Sequence, residues 1–185
     1  MMKTLGRGCT KGMLLPACAI IVASICFGAP TSVFGQPSGC TLIPDERNPS
    51  DKILRCGDGL TIRTSPNTRF SVTGPDGGRP PTGIHLDAGA LLIDFTPSAQ
   101  RQNFQILTPH AIAAVRGTQW AVEVVRDRTS TLVISGAVEV KRPSQNGGTL
   151  LQPGRGADVF AGRGRIVVGR WAKSRVDALM ARFRQ

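Results

Sequence analysis

From Lys52 to Val168 the chain is a succession of short apolar runs ended by glycine, proline or polar turn residues, and this rhythm limits the fold more than any other feature. Runs so short are strand-sized, and their regular punctuation is the signature of an all-β chain. The strands predicted are Leu60 to Arg63, Arg69 to Thr73, Gly83 to Leu86, Ala90 to Phe95, Phe104 to Leu107, Ile112 to Val115, Trp120 to Val125, Thr131 to Ile134, Ala137 to Lys141, Leu150 to Gln152, Ala157 to Phe160 and Arg165 to Val168. Side chains alternate across a strand, so Trp120, Val122 and Val124 share one face and Ala121, Glu123 and Val125 the other, the pattern of a half-buried strand. Leu132, Ile134, Val138 and Val140 repeat it around Gly136, which is expected to permit a bend or close backbone approach without ending the ladder. The stretch Gly74 to Pro81 holds three glycines and three prolines, which remove donors and regular dihedrals, so it is read as an exposed loop.

A weak internal echo runs through these strands. Ile62-Arg63-Thr64, Phe70-Ser71-Val72 and Leu86 to Leu91 are answered near 50 residues later by Val115 to Thr118, Trp120-Ala121-Val122 and Ile134 to Val138. Two β units on a shared core are one explanation and chance is the other.

Both ends depart from the rhythm. Val176, Leu179, Met180 and Phe183 fall at steps of three and four, which predicts an amphipathic helix from about Trp171 to Phe183. Its apolar face is expected to close the open end of the β core, the alternative being attachment to an anionic membrane through its basic face. At the other end Lys3, Arg7 and Lys11 precede an uncharged apolar run from Met13 to Ala29, the pattern of a signal peptide over residues 1–35 with cleavage between Gly35 and Gln36. The run is short for a bilayer span and carries Pro16, so no stable membrane span is expected after cleavage; an uncleaved anchor is the competing reading. Leu15-Pro16-Ala17-Cys18 resembles a lipobox, but the apolar run continues past it.

Of five cysteines, Cys9, Cys18 and Cys26 leave with the leader, and Cys40 and Cys56 remain as one pair. A disulfide between them is expected in an exported chain, and a loop of that size stabilises by roughly 3 kcal/mol through the unfolded state. Two free thiols or half of a zinc site are the alternatives, but no further cysteine or clustered histidine completes a metal site. Residues 36–58 are read as a proline-rich, extended lead-in tied by this pair, residues 59–170 as the β domain and residues 171–185 as the closing helix.

Removing the three cations of the leader from the formal +11 leaves +8 on the remainder. That field favours anionic envelope polymers, although the arginines are scattered rather than in a dense run. Catalytic equipment is sparse. The chain has two histidines, His85 and His110, and no tyrosine; His85 and Asp87 share a strand face, but no nucleophile elbow, paired-histidine metal motif or phosphate-cradling glycine loop accompanies them. No enzyme activity, metal or cofactor is expected.

The segment Ile106 to Val122, with Arg116-Gly117-Thr118 and Trp120 at its centre, resembles the central motif of the FecR domain family. Thr131 to Val140 around Gly136 and the turn Leu151-Gln152-Pro153-Gly154 are similar to the elements that follow it in that family. The resemblance implies an all-β domain, a short-strand β-sandwich or solenoid-like module with one C-terminal helix, working in the periplasm or extracellularly by contact with another envelope protein. Founding members of the family hold a sigma factor through a cytoplasmic tail. Only about a dozen residues precede the apolar run here, so no sigma factor is expected as partner, nor is nucleic acid. Binding to a basic-surface ligand such as an anionic envelope polymer is the alternative function. Arg116 has two available jobs: satisfying backbone carbonyls at a β corner, with Gly117 making the corner, or presenting its guanidinium to a partner's carboxylate or phosphate.

Overall fold

The structure is a computed structural model that describes residues 39–45, 52–57, 59–74, 81–98 and 103–184. The expected signal peptide, its cleavage point, the lipobox cysteine and most of the loop before Pro81 lie outside these residues. Among the described residues no helix is long and apolar enough to cross a membrane.

Among the described residues thirteen strands and one helix follow in order: β1 (Cys40–Pro44), β2 (Lys52–Cys56), β3 (Leu60–Thr64), β4 (Arg69–Thr73), β5 (Gly83–Phe95), β6 (Phe104–Leu107), β7 (Ile112–Val115), β8 (Thr118–Val125), β9 (Arg128–Ser135), β10 (Val138–Lys141), β11 (Thr149–Leu151), β12 (Arg155–Phe160), β13 (Val167–Arg170) and α1 (Lys173–Ala181). The fold is all-β, as the punctuation predicts, with the strands joined in one continuous, curled sheet. Sheet I has the order β1-β2-β3-β5-β8-β9-β12-β13, and sheet II the order β4-β5-β6-β7-β10-β11, with β5 common to both. All pairings are antiparallel except β5 with β6.

The sheets are continuous because arms of the chain bend from one into the other. The carboxyl half of β5 pairs with β3 and β8 in sheet I, while its amino half pairs with β4 and β6 in sheet II. The predicted strands Gly83 to Leu86 and Ala90 to Phe95 are therefore one strand, passing through Gly89. In the same way β7 continues into β8 through Arg116-Gly117, and β9 into β10 through Gly136. Gly136 thus ends the ladder in sheet I, contrary to the bend-without-break expectation, and its flanking strands belong to opposite sheets.

The echo has a topological counterpart. β3 and β4 pair with the two halves of β5, and β7 and β8 pair with β10 and β9, so each unit is a hairpin bent across both sheets. Corresponding members lie in opposite sheets. β9-β10 with β11-β12 makes a third bent pair.

The enclosed core contains Ile62, Leu91, Ile93, Phe95 and Trp120 from sheet I and Ile84, Phe104, Ile106, Val138 and Val140 from sheet II. Trp120, Val122 and Val124 all face it, as alternation predicts. Ahead of β3, β1 and β2 form an antiparallel pair whose second strand extends sheet I through β3, and the Cys40–Cys56 disulfide joins directly opposed residues. Pro44 is tolerated there because β1 is an edge strand.

The helix lies elsewhere than expected. Leu179 and Phe183 pack on Ala90, Ala121 and Leu132, which point out of the opposite face of sheet I, so α1 covers the back of that sheet rather than an open end. Arg182 is paired with Glu123 of β8, and Arg175 with Asp158 of β12, fixing the helix at both ends.

Candidate functional site

The FecR-like motif builds a surface corner. Gly117 and Gly136 hold positive φ values of 68° and 75°, and a Cβ on Gly136 would stand 2.3 Å from the Gly117 carbonyl oxygen, so only glycine permits this approach. Beside it, Asp94, Phe95, Thr96, Pro97, Gly117, Thr118, Gln119 and Ser135 line a shallow cleft of about 390 Å³. Its polar groups are partly paired already: Gln119 Nε2 donates to Asp94 Oδ2 at 3.3 Å, and the Gln119 backbone N–H donates to Ser135 Oγ at 3.3 Å. Thr118 Oγ1 is buried and without a hydrogen-bond partner.

The other motif residues divide by environment. Trp120 is fully buried and serves the core. Arg116 is exposed, and its Nε donates to Asn103 Oδ1 at 3.1 Å, a side chain rather than a corner carbonyl. A buried arginine that satisfies backbone carbonyls is found elsewhere, at the β12–β13 loop, where no local sequence pattern marks it. Arg142, only 4% exposed, donates from Nε to Gly164 O at 2.8 Å and from Nη1 to Phe160 O at 2.7 Å and Gly162 O at 2.8 Å. At the β3–β4 corner, the Ser65 carbonyl accepts from Thr68 Oγ1 at 2.6 Å, and the Ala90 N–H of β5 donates to Ser65 Oγ and Thr68 Oγ1.

Under the amino end of α1 lies the strongest electrostatic cluster. Arg175 forks onto Asp158, Nη1 to Oδ2 at 2.8 Å and Nη2 to Oδ1 at 2.5 Å, and its guanidinium stacks 3.5 Å from the Trp171 ring. Ser130 Oγ donates to Asp158 Oδ1 at 2.6 Å. Burial raises the Asp158 pKa, but hydrogen bonds from Arg175 and Ser130 and the charges of Arg175 and Arg128 outweigh it, and the net effect holds the carboxyl below its ordinary value. A carboxylate so fully engaged is a fastener, not a general base.

His85 and Asp87 do neighbour each other, Nε2 to Oδ1 at 3.8 Å, but both are half-exposed on the open side of β5. His110 Nδ1 lies 3.3 Å from Thr129 Oγ1 in the β6–β7 turn. Among the described residues no group of histidine, cysteine, aspartate and glutamate is placed to hold a metal.

The FecR protein family model matches residues 49–139. No curated protein matches the sequence. Among solved structures, a candidate anti-sigma factor from Parabacteroides distasonis ATCC 8503, in a 1.65 Å crystal structure, is similar in fold, with a TM-score of 0.54 at 16% identity over 77% of this chain. A 2.50 Å crystal structure with the same description and organism, with a TM-score of 0.47 at 16% identity over 77% of this chain, is too distant to add to the fold comparison. The chain spans 61% of the length of each of these neighbours. Residues 49–139, which run from β2 to β10 and include the Arg116-Gly117-Thr118 corner, are thus a match to the FecR family.

Proposed function

We propose that this chain is a non-catalytic interaction module of the bacterial cell envelope, acting in the periplasm or outside the cell by contact with another envelope protein and relaying a signal through that contact. One observation carries the reading. The family motif places Arg116 in solvent beside a polar cleft, on a corner shaped by the close approach of Gly117 and Gly136, and its one side-chain hydrogen bond goes to Asn103 rather than to a backbone carbonyl. A preformed corner with an exposed guanidinium, oriented by Asn103 through its Nε, suits a partner's carboxylate, because little ordering is needed on contact. The disulfide fits an oxidising compartment.

A photo-cross-linking residue at Gln119 tests this in intact cells, with Gln145 in the exposed β10–β11 loop as control. One discrete protein adduct is expected from position 119, absent from position 145 and lost with Arg116→Glu. No adduct, or the same adducts from both positions, overturns the reading.

A second reading, binding of an anionic envelope polymer, is favoured by Arg155 and Arg170. They face each other across β12 and β13, both exposed, and neither forms an ion pair among the described residues. Directly opposed like charges destabilise a sheet, and a bound polyanion relieves that repulsion. Retention on heparin that collapses with rising salt, and weakens in Arg155→Ser/Arg170→Ser, is the outcome expected of this reading.

A further inference from the structure

The back of sheet I is covered by α1 only in part. One step further along the strands, past the Asp158–Ser130–Glu123 row, the outward positions are Phe160, Arg128 and Val125, successive cross-strand neighbours on β12, β9 and β8. Val167 stands outward on β13, opposite Asp158. Phe160, Val125 and Val167 are 41%, 38% and 56% exposed, and they are three of the five large apolar side chains that are exposed among the described residues. They form one patch on one face at one end of the sheet, where scattered single exposures are the usual finding.

Cations surround the patch. The β8–β9 turn contributes Arg126 and the β12–β13 loop Arg163 and Arg165, against the exposed acid Asp127 of the turn, while Arg128 at the start of β9 stands between Val125 and Phe160 with its Nε 3.9 Å from Asp158 Oδ1. Turn and loop sit together, since the Ala161 N–H donates to Asp127 O at 2.6 Å. Arg126, Arg163 and Arg165 form no ion pair among the described residues. The loop is also shaped in advance: Arg142 grips the carbonyls of Phe160, Gly162 and Gly164 from beneath, leaving the intervening Arg163 exposed.

From this arrangement we infer that the Val125–Phe160–Val167 end of sheet I docks peripherally on an anionic lipid bilayer. Apolar side chains that protrude beside cations match the headgroup boundary, where the former enter the acyl margin and the latter meet phosphates. A soluble polyanion offers nothing to Phe160, and an ordinary protein partner does not call for a cationic ring of this excess. The inference is independent of the Arg116 corner, which lies at the other end of β8.

Residues 35–185 form a compact unit of their own, so the chain from Gln36 onward is the material for the test and the apolar leader does not interfere. Its co-sedimentation is measured with vesicles of phosphatidylglycerol and phosphatidylcholine in a ratio of about one to two, and with phosphatidylcholine alone, at about 0.1 M salt. Binding is expected only to the anionic vesicles. Phe160→Ser should weaken it about tenfold, and Arg163→Ser/Arg165→Ser by about fivefold for each charge removed. The β12–β13 loop being exposed, tryptophan emission of both variants should match the parent and verify folding; Val125→Ser provides a second apolar probe on another strand. Absence of vesicle binding overturns the inference. So does binding that Phe160→Ser and Val125→Ser leave unchanged, which would assign the face to a soluble polyanion, or vesicle binding that is lost with Arg116→Glu instead.

Discussion

Gly136 lies so close to Gly117 that a Cβ on the first would come within 2.3 Å of the carbonyl oxygen of the second. This contact is where β7–β8 and β9–β10 bend together from one sheet into the other, so neither chain has room to withdraw without separating paired strands. Gly136→Ala is therefore expected to cost about 3 kcal/mol or more, adding a clash to left-handed backbone strain. Gly162 also has a positive φ, 84°, but nothing lies within 4 Å of its would-be Cβ, so Gly162→Ala should cost only the strain, about 1 kcal/mol. Urea denaturation of the two variants checks the difference, and equal losses would mean that the corner contact is not limiting.

Arg142 is the residue that most resembles an internal strut. It is almost fully buried, yet three of its hydrogen bonds end on backbone carbonyls of one loop. Arg142→Met removes the donors and leaves those carbonyls to find water, with an expected loss of about 2–3 kcal/mol. Arg142→Lys should recover only part, since an ammonium lacks the planar fork. Amide exchange localises the effect: residues 160–166 should lose protection ahead of the β5–β8 ladder.

How much of this was legible beforehand depended on the range of each interaction. β6 and β7 match the predicted limits residue for residue, because local turn residues bound them. In the sequence β5 looks like two strands because Asp87-Ala88-Gly89 interrupts the apolar alternation, and that interruption is the passage between sheets. The helix and its apolar face were legible, but its seat was not; the signal was the apolar residues Ala121 and Leu132 at outward positions of half-buried strands. The motif draws attention to Arg116 and leaves it two roles, of which the carbonyl-satisfying one belongs instead to Arg142 at another loop. Arg142 acts on carbonyls 18 to 22 residues away, a relation that no local pattern encodes. The Arg116-Gly117-Thr118 corner itself was legible, whereas the cleft beside it depends on Asp94 and Ser135 from two other strands.

Asp158 ties stability to pH. Its carboxyl titrates below the ordinary value in the folded chain, so the unfolded chain binds more protons in the acid range. The contribution is complete above the unfolded value near 3.9 and is lost as pH falls through the folded value. Melting temperature should therefore decline more steeply below about pH 4 in the parent than in Asp158→Asn. The variant should be less stable at neutral pH by about 1–3 kcal/mol, as the Arg175 fork loses its charged partner. Parallel acid limbs for the two proteins would remove Asp158 as the cause.

Reduction of Cys40–Cys56 releases the edge hairpin while leaving its ladder in place. The loop spans a separation of 16 residues, for which unfolded-state entropy alone gives about 3 kcal/mol. Cys40→Ser/Cys56→Ser should lower the denaturation midpoint accordingly, and dithiothreitol should move the parent to the variant's curve without affecting the variant.

Arg116 separates a structural role from a contact role. Its guanidinium is exposed and hydrogen bonds to Asn103, and no corner carbonyl depends on it. Arg116→Ala should then change folding stability by less than about 0.5 kcal/mol, the range of ordinary surface substitutions. The same variant should abolish the adduct formed from position 119. Stability and contact are measured on one protein, so the two roles predict opposite pairs of results: a loss of about 2 kcal/mol with the adduct retained would return Arg116 to the architecture of the corner.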